Sequence, residues 1–219
     1  MTSPRKRVVV FISGGGSNMM ALVAAAKAPD FPAEIVGVIS DKPDAGGLAK
    51  ASAEGIATFA FPRKDYASKE AHEEAIFAAL DALSPDFLCL AGYMRLLSGT
   101  FIQRYEGKMI NIHPSLLPLF PGLHTHQRAI DAGMRIAGCT VHFVTEGMDE
   151  GPVIGQAAVP VLSDDTADTL AARVLTVEHK IYPQALRLFA EGKVRMDGGK
   201  AVRTADASDA TATGAVISA

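Results

Sequence analysis

Val8-Val9-Val10-Phe11-Ile12-Ser13-Gly14-Gly15-Gly16-Ser17-Asn18 is the stretch that decides the fold. Five apolar residues run without alternation, which reads as a strand covered on both faces, as in a parallel sheet. Three glycines then free the backbone for positive φ and for close approach to a ligand. A helix follows from Asn18, and the N–H groups at a helix start favour an anion, most often phosphate. No Gly-Lys-Ser/Thr follows, so this is not a P-loop. Gly14 and Gly16 fit part of a dinucleotide-binding pattern, but Met19 stands where its last glycine belongs. Asp41, at the end of the second strand, stands where such a site holds a ribose, so that reading stays open beside the phosphate one.

Outward from this loop, helix-like and strand-like segments alternate. Helices are expected over 18–28, 45–53 (closed by Gly55) and 69–83 (capped by Ser68, ended by Ser84-Pro85), with strands over 35–40, 56–61 and 87–91. This order predicts an α/β, Rossmann-like fold with a mostly parallel central sheet and helices on both faces. The second half changes character. A strand over 108–112 leads into a loop with Pro114, Pro118 and Pro121, then a short helix capped by Thr125 and ending near Gly133. Strands over 136–145 and 153–161 are joined closely enough to pair antiparallel. A long helix over 166–192 should kink or break at Pro183. Residues 1–204 read as one domain and residues 205–219, rich in Ala, Thr, Ser, Asp and Gly, as a flexible extension.

The 219 residues carry 21 basic and 24 acidic side chains, a net charge of −3, which argues against a nucleic-acid partner. A small phosphorylated ligand needs only a local site. Cys89 and Cys139 sit in apolar stretches, read as reduced core thiols, and form no C-x-x-C pair. No segment approaches the ~20 apolar residues of a membrane helix. Arg5-Lys6-Arg7 and the apolar run after it stop too soon for a signal peptide, so a cytoplasmic protein is expected.

The densest chemistry is Asn111-Ile112-His113-Pro114-Ser115-Leu116-Leu117-Pro118. Asn111 and His113 lie two apart at a strand end and point to the same side. An amide donor beside an imidazole can hold an oxyanion and move a proton. If the turn at Asp149-Glu150-Gly151-Pro152 folds over the same strand end, Asp149 could pair with His113. His142 reads as a satisfied core histidine. His124 and His126 lack a third ligand, so no metal is expected.

These stretches resemble the phosphoribosylglycinamide formyltransferase family, whose motifs are S-G-x-G-S-N, A-G-[FY]-M-R, N-I-H-P-S-L-L-P, P-G-L-H-T-H and D-x-G-P-V. Here they stand at 13–18, 91–95, 111–118, 121–126 and 149–153, in the same order. The resemblance covers about residues 7–198. It implies a formyltransferase fold, 10-formyltetrahydrofolate as co-substrate, and transfer of its formyl group to the amine of glycinamide ribonucleotide in purine synthesis. It implies that Asn111, His113 and Asp149 are catalytic, and that Gly16, Ser17, Asn18 and Glu178 hold the ribonucleotide. Lys69, Met94, Arg95, Leu96, Leu97 and Asn111 would contact the folate. One departure is Lys69, where the family often has Arg; Lys keeps the charge and loses the bidentate fork. Small-molecule substrates are implied, with a monomer or homodimer. The rivals are a formyltetrahydrofolate hydrolase, which usually carries an extra domain before the catalytic one, a formyltransferase for initiator tRNA, which needs a basic surface, and a non-catalytic nucleotide-binding module.

Overall fold

The computed structural model describes residues 4–204. The chain forms two compact units that divide after Asn111. The first is built on parallel strands. β1 (Lys6–Ile12) pairs with β2 (Ala33–Ser40) on one side and β4 (Phe87–Leu90) on the other. Beyond β2 lies β3 (Ala57–Ala60), and beyond β4 lies β5 (Met109–His113). Val8 through Ile12 are fully buried, as an apolar run without alternation requires.

Helices α1 (Ser17–Ala26), α2 (Gly46–Ala53) and α3 (Lys69–Leu83) follow the first three strands in turn. Met19 and Leu22 of α1 and Ile76 and Leu80 of α3 are fully buried. Ser68 caps α3 by accepting the Ala71 N–H at 3.1 Å, and Ser84 ends it in a left-handed conformation. The order β3-β2-β1-β4-β5 reverses direction at β1. In open parallel sheets, ligands bind where the loops leaving two such neighbouring strands diverge. Here those loops are 13–16, after β1, and 91–98, after β4.

The second unit carries the antiparallel pair β6 (Ile136–Phe143) and β7 (Val153–Pro160). Cys139, Val159, Leu170 and Val174 form its core with α6 (Ala167–Ala190). Thr166 and Thr169 make a reciprocal capping box at the start of α6. Pro183 does not end this helix, which runs through all 24 residues. Tyr182, Leu186 and Phe189 around it are buried, and that packing outweighs the lost backbone bond.

Three elements depart from expectation. Thr125 is the first residue of α5 (Thr125–Asp131), not its cap; His124 takes the cap position at φ 58° with no side-chain bond, and the Thr125 side chain is buried instead. A short helix, α4 (Gly99–Arg104), was not expected; Ser98 caps it by accepting the Phe101 N–H. A hairpin of β8 (Val194–Asp197) and β9 (Lys200–Arg203) turns through Gly198 and Gly199, both at positive φ. The extension expected over 205–219 lies outside the described residues.

Gly138 marks a point of close approach in the β6–β7 ladder. A Cβ there would run into the Ala157 carbonyl and come within 2.9 Å of Leu116 Cδ2. A ladder carbonyl cannot move aside without breaking its register. Gly138→Ala should therefore cost about 1–3 kcal/mol and lower the thermal midpoint by several degrees, roughly 2–4 °C per kcal/mol for a chain of this size. Calorimetry of the variant against the parent checks this; coincident melts would contradict it.

Candidate active site

In the first unit, the glycine loop delivers the start of α1. Gly16 sits at φ 67°, ψ 34°, with no side chain capping the helix. A Cβ on Gly16 would lie 2.9 Å from Met19 Cε and 3.0 Å from Gly47 Cα, so conformation and space both demand glycine. The Gly47 N–H donates to Gly14 O at 3.0 Å, and Lys50 Nζ donates to Gly15 O at 2.8 Å. Ser17 is exposed and Asn18 buried at the first turn. An N-terminal turn leaves backbone N–H groups without intrahelical acceptors, and Lys50 adds a positive charge beside them. Nothing in the spacing of the sequence marked Lys50.

Directly before the glycines, Ser13 is buried and makes three contacts. Its hydroxyl donates to Asp41 Oδ1 at 2.5 Å and accepts the Met94 N–H at 2.8 Å. Its own N–H donates to Gly92 O at 3.1 Å. The second Asp41 oxygen accepts from Arg95 Nε at 3.1 Å. Both oxygens of Asp41 are thus engaged within the protein, which does not suit a ribose-holding carboxylate. Met94 and Leu96 stand 64% and 72% exposed. Lys69 is half-buried at the first position of α3.

In the second unit, His113 ends β5 and is buried. Its Nδ1 lies 3.4 Å from Asp149 Oδ2, and its Nε2 lies 3.0 Å from the Phe120 carbonyl. The same Asp149 oxygen accepts the Gly122 N–H at 2.8 Å. Asp149 Oδ1 is 3.9 Å from His142 Nε2, while His142 Nδ1 lies 2.8 Å from its neighbour's carbonyl, Phe143 O. Asp149 has φ 58°, a left-handed conformation that Asp tolerates better than most residues. Behind it, a Cβ on Gly151 would run into the Phe143 carbonyl. The expected pairing of position 149 with position 113 is therefore present. Asn111 lies two residues earlier on β5 and is half-buried.

The loop that brings Phe120 and Gly122 to this pair is tied down by residues the sequence reading missed. Thr140 Oγ1 donates to Ser115 O at 2.7 Å and accepts the Leu117 N–H at 3.0 Å. Gln156 Nε2 donates to Leu117 O at 2.8 Å. Arg128 donates to Pro121 O at 2.5 Å and lies over the Phe120 ring, 5.4 Å from its centroid. Glu178 is buried on α6. Burial, with the Glu178 charge second, pushes the Cys139 thiol up to about 12, so that cysteine is an inert core thiol.

Loops diverging from β1 and β4 mark a ligand-binding position in an α/β fold, and a carboxylate beside an imidazole at the end of β5 is a pair suited to proton transfer. Residues 6–186 match the formyl transferase family, and the chain belongs to it. It is 46% identical to the phosphoribosylglycinamide formyltransferase of Escherichia coli, over 86% of this chain and 89% of that one. It is similar to the crystal structure of the phosphoribosylglycinamide formyltransferase from Brucella melitensis, with a TM-score of 0.85 and 66% identity over 98% of this chain and 100% of that one. It is also 50% identical to the trifunctional purine biosynthetic protein adenosine-3 of Bos taurus over 88% of this chain. The chain spans 14% to 20% of the length of the trifunctional relatives. Among the described residues, no helix is long and apolar enough to cross a membrane.

Burial is the first cause holding His126, His142 and His179 below the ordinary imidazole value of 6.5. Nε2 of His126 and of His179 has no hydrogen-bond partner among the described residues. In the unfolded chain these rings take up protons near pH 6.5; in the folded chain they do so only at lower pH. The unfolded state then binds more protons, so stability is full above about pH 7 and falls as the pH drops through 6.5. Asp165, held well below the carboxylate range chiefly by Arg173, acts only at more acidic pH. The thermal midpoint should fall from pH 7.5 to 5.5 at fixed ionic strength, and His179→Gln should flatten that slope. A midpoint that rises on acidification would overturn this.

Proposed function

We propose that the chain transfers the formyl group of 10-formyltetrahydrofolate to the amine of glycinamide ribonucleotide, giving formylglycinamide ribonucleotide and tetrahydrofolate, in purine synthesis in the cytoplasm. The observation that carries this reading is the Asp149–His113 pair, anchored by Gly122, in a chain of the formyl transferase family. The substrate amine attacks the formyl carbon, forming a C–N bond and a tetrahedral oxyanion. Asn111 and a doubly protonated His113 stabilise that oxygen. Asp149 orients the ring from its Nδ1 side. The bond to folate nitrogen then breaks, and the proton lost by the amine goes to that nitrogen. No covalent enzyme intermediate is needed. Gly16, Ser17 and Asn18 bind the ribonucleotide phosphate at the start of α1, and Glu178 meets the glycinamide end. Met94, Arg95, Leu96 and Leu97 line the folate pocket with Asn111, and Lys69 meets the folate's glutamate tail. No metal takes part, and the protein works as a monomer or homodimer.

The test is the purified protein with 10-formyltetrahydrofolate, with and without glycinamide ribonucleotide, followed by folate absorbance. Turnover only with the amine is expected. Loss of the formyl group without the amine would indicate a hydrolase, and no turnover in either case a binding module. Asn111→Ala and His113→Ala should each fold and lose about a hundredfold or more in kcat, the usual effect of removing an oxyanion donor. Asp149→Asn should fall on a similar scale, about a hundredfold, because the imidazole loses the carboxylate that orients it.

A further inference from the structure

We propose that Asp41 is a positioning residue for folate binding: through Ser13 and Arg95 it fixes the backbone of 92–95, which carries the exposed ledge of Met94 and Leu96. The inference rests on the folate reading of Met94 to Leu97 and adds a residue outside that segment which sets its shape.

A carboxylate is seldom buried unless its charge is met. The Asp41 side chain is 4% exposed. It accepts the Ser13 hydroxyl on one oxygen and Arg95 Nε on the other. Ser13 has one hydroxyl proton, and Asp41 takes it. The hydroxyl is thereby oriented so that a lone pair receives the Met94 N–H. The Ser13 N–H closes a second link to Gly92 O, where the chain turns at φ 77°. Edge-to-face packing of Tyr93 on Phe11, 5.2 Å between centroids, holds the segment from below. Residues 92 to 95 are thus fixed one by one from β1 and from the end of β2. The ledge itself offers no such restraint, because Met94 and Leu96 are largely in solvent. A backbone fixed before the ligand arrives avoids the entropy of ordering it on binding. Ser13 also leads directly into the glycine loop, but Gly47 and Lys50 hold that loop independently. Loss of Asp41 should therefore fall on the folate side.

Asp41→Asn keeps the shape and an acceptor for Ser13 but loses the charge facing Arg95; Asp41→Ala loses both. A change that raises KM with kcat preserved has removed binding common to ground and transition states, and about a tenfold rise in the folate KM is expected for Asp41→Ala. Asp41→Asn should recover part of that loss. The KM for glycinamide ribonucleotide should stay within about twofold and kcat within about threefold, since the reacting groups are untouched. Leu96→Glu, an exposed change, tests the reading beneath. If Leu96→Glu raises the folate KM and neither Asp41 variant does, the positioning role is wrong. If Leu96→Glu leaves the folate KM unchanged, the folate reading of the ledge fails and takes the inference with it. A fall in kcat with both KM values moving together, in step with a lower melting temperature, would make Asp41 a merely structural residue. If Asp41→Ala does not fold, Asp41→Asn and Ser13→Ala carry the same comparison.

Discussion

The geometry of the polar cluster in the second unit depends on one shared oxygen. Asp149 Oδ2 accepts the Gly122 N–H and lies beside His113 Nδ1. A carboxylate oxygen that accepts a backbone N–H and lies 3.4 Å from an imidazole nitrogen relates the position of a ring to that of a loop. The fold supplies the means to hold it there. Asp149 is in a left-handed turn, and that turn closes against Phe143 O, where only a glycine at 151 fits. The loop that presents Gly122 is held by Thr140 and Gln156, side chains of the β6–β7 pair. Sheet packing and site geometry are therefore one problem in this unit, since the strands that bury the core also carry the hydroxyl and amide that hold the loop.

The first unit solves a similar problem differently. There the carboxylate is Asp41, and its partners are a hydroxyl and a guanidinium. It is buried more deeply than Asp149, with 4% against 14% of its side chain exposed. It joins the ends of β1 and β2 to the segment after β4. With both carboxylate oxygens of Asp41 engaged, this polar cluster holds the backbone it touches, whereas the Met94 and Leu96 side chains it supports stand in solvent.

Most of the fold was legible because its signals are local. The unbroken apolar run at 8–12 could only be a strand buried on both faces, and Ser68 capped its helix at the residue expected. Asn111 and His113 declared themselves by two-residue spacing on a strand. What failed was nonlocal or conformational. Thr125 looked like a cap because threonine often is one, but the left-handed turn at His124 placed it inside the helix. Pro183 signalled a kink or a break, and tertiary packing kept the helix unbroken through it. The hairpin of β8 and β9 did have a signal, since Asp197-Gly198-Gly199-Lys200 is a two-residue turn between short strands. Thr140, Gln156, Lys50 and the pairing of Asp41 with Arg95 had none. Each acts on residues 23 to 54 positions away in sequence, and no pattern within a window of the chain records that.

The two acceptors around His113 also set a condition on the proposed reaction. Nδ1 faces Asp149 and Nε2 faces the Phe120 carbonyl, so only a ring carrying both N–H groups satisfies both. Such a ring has no third donor for an oxyanion. One acceptor must yield, and the two are unequal. A hydrogen bond between charged partners is roughly twice as strong as one between neutral groups, and Asp149 is further held by Gly122. The Phe120 carbonyl is neutral and lies in a loop, and its exchange for a developing negative oxygen replaces a weaker acceptor with a stronger one at the same nitrogen. Bond strength thus favours the transition state over the resting contact, which is the sense in which a site is complementary to what it makes rather than to what it meets first.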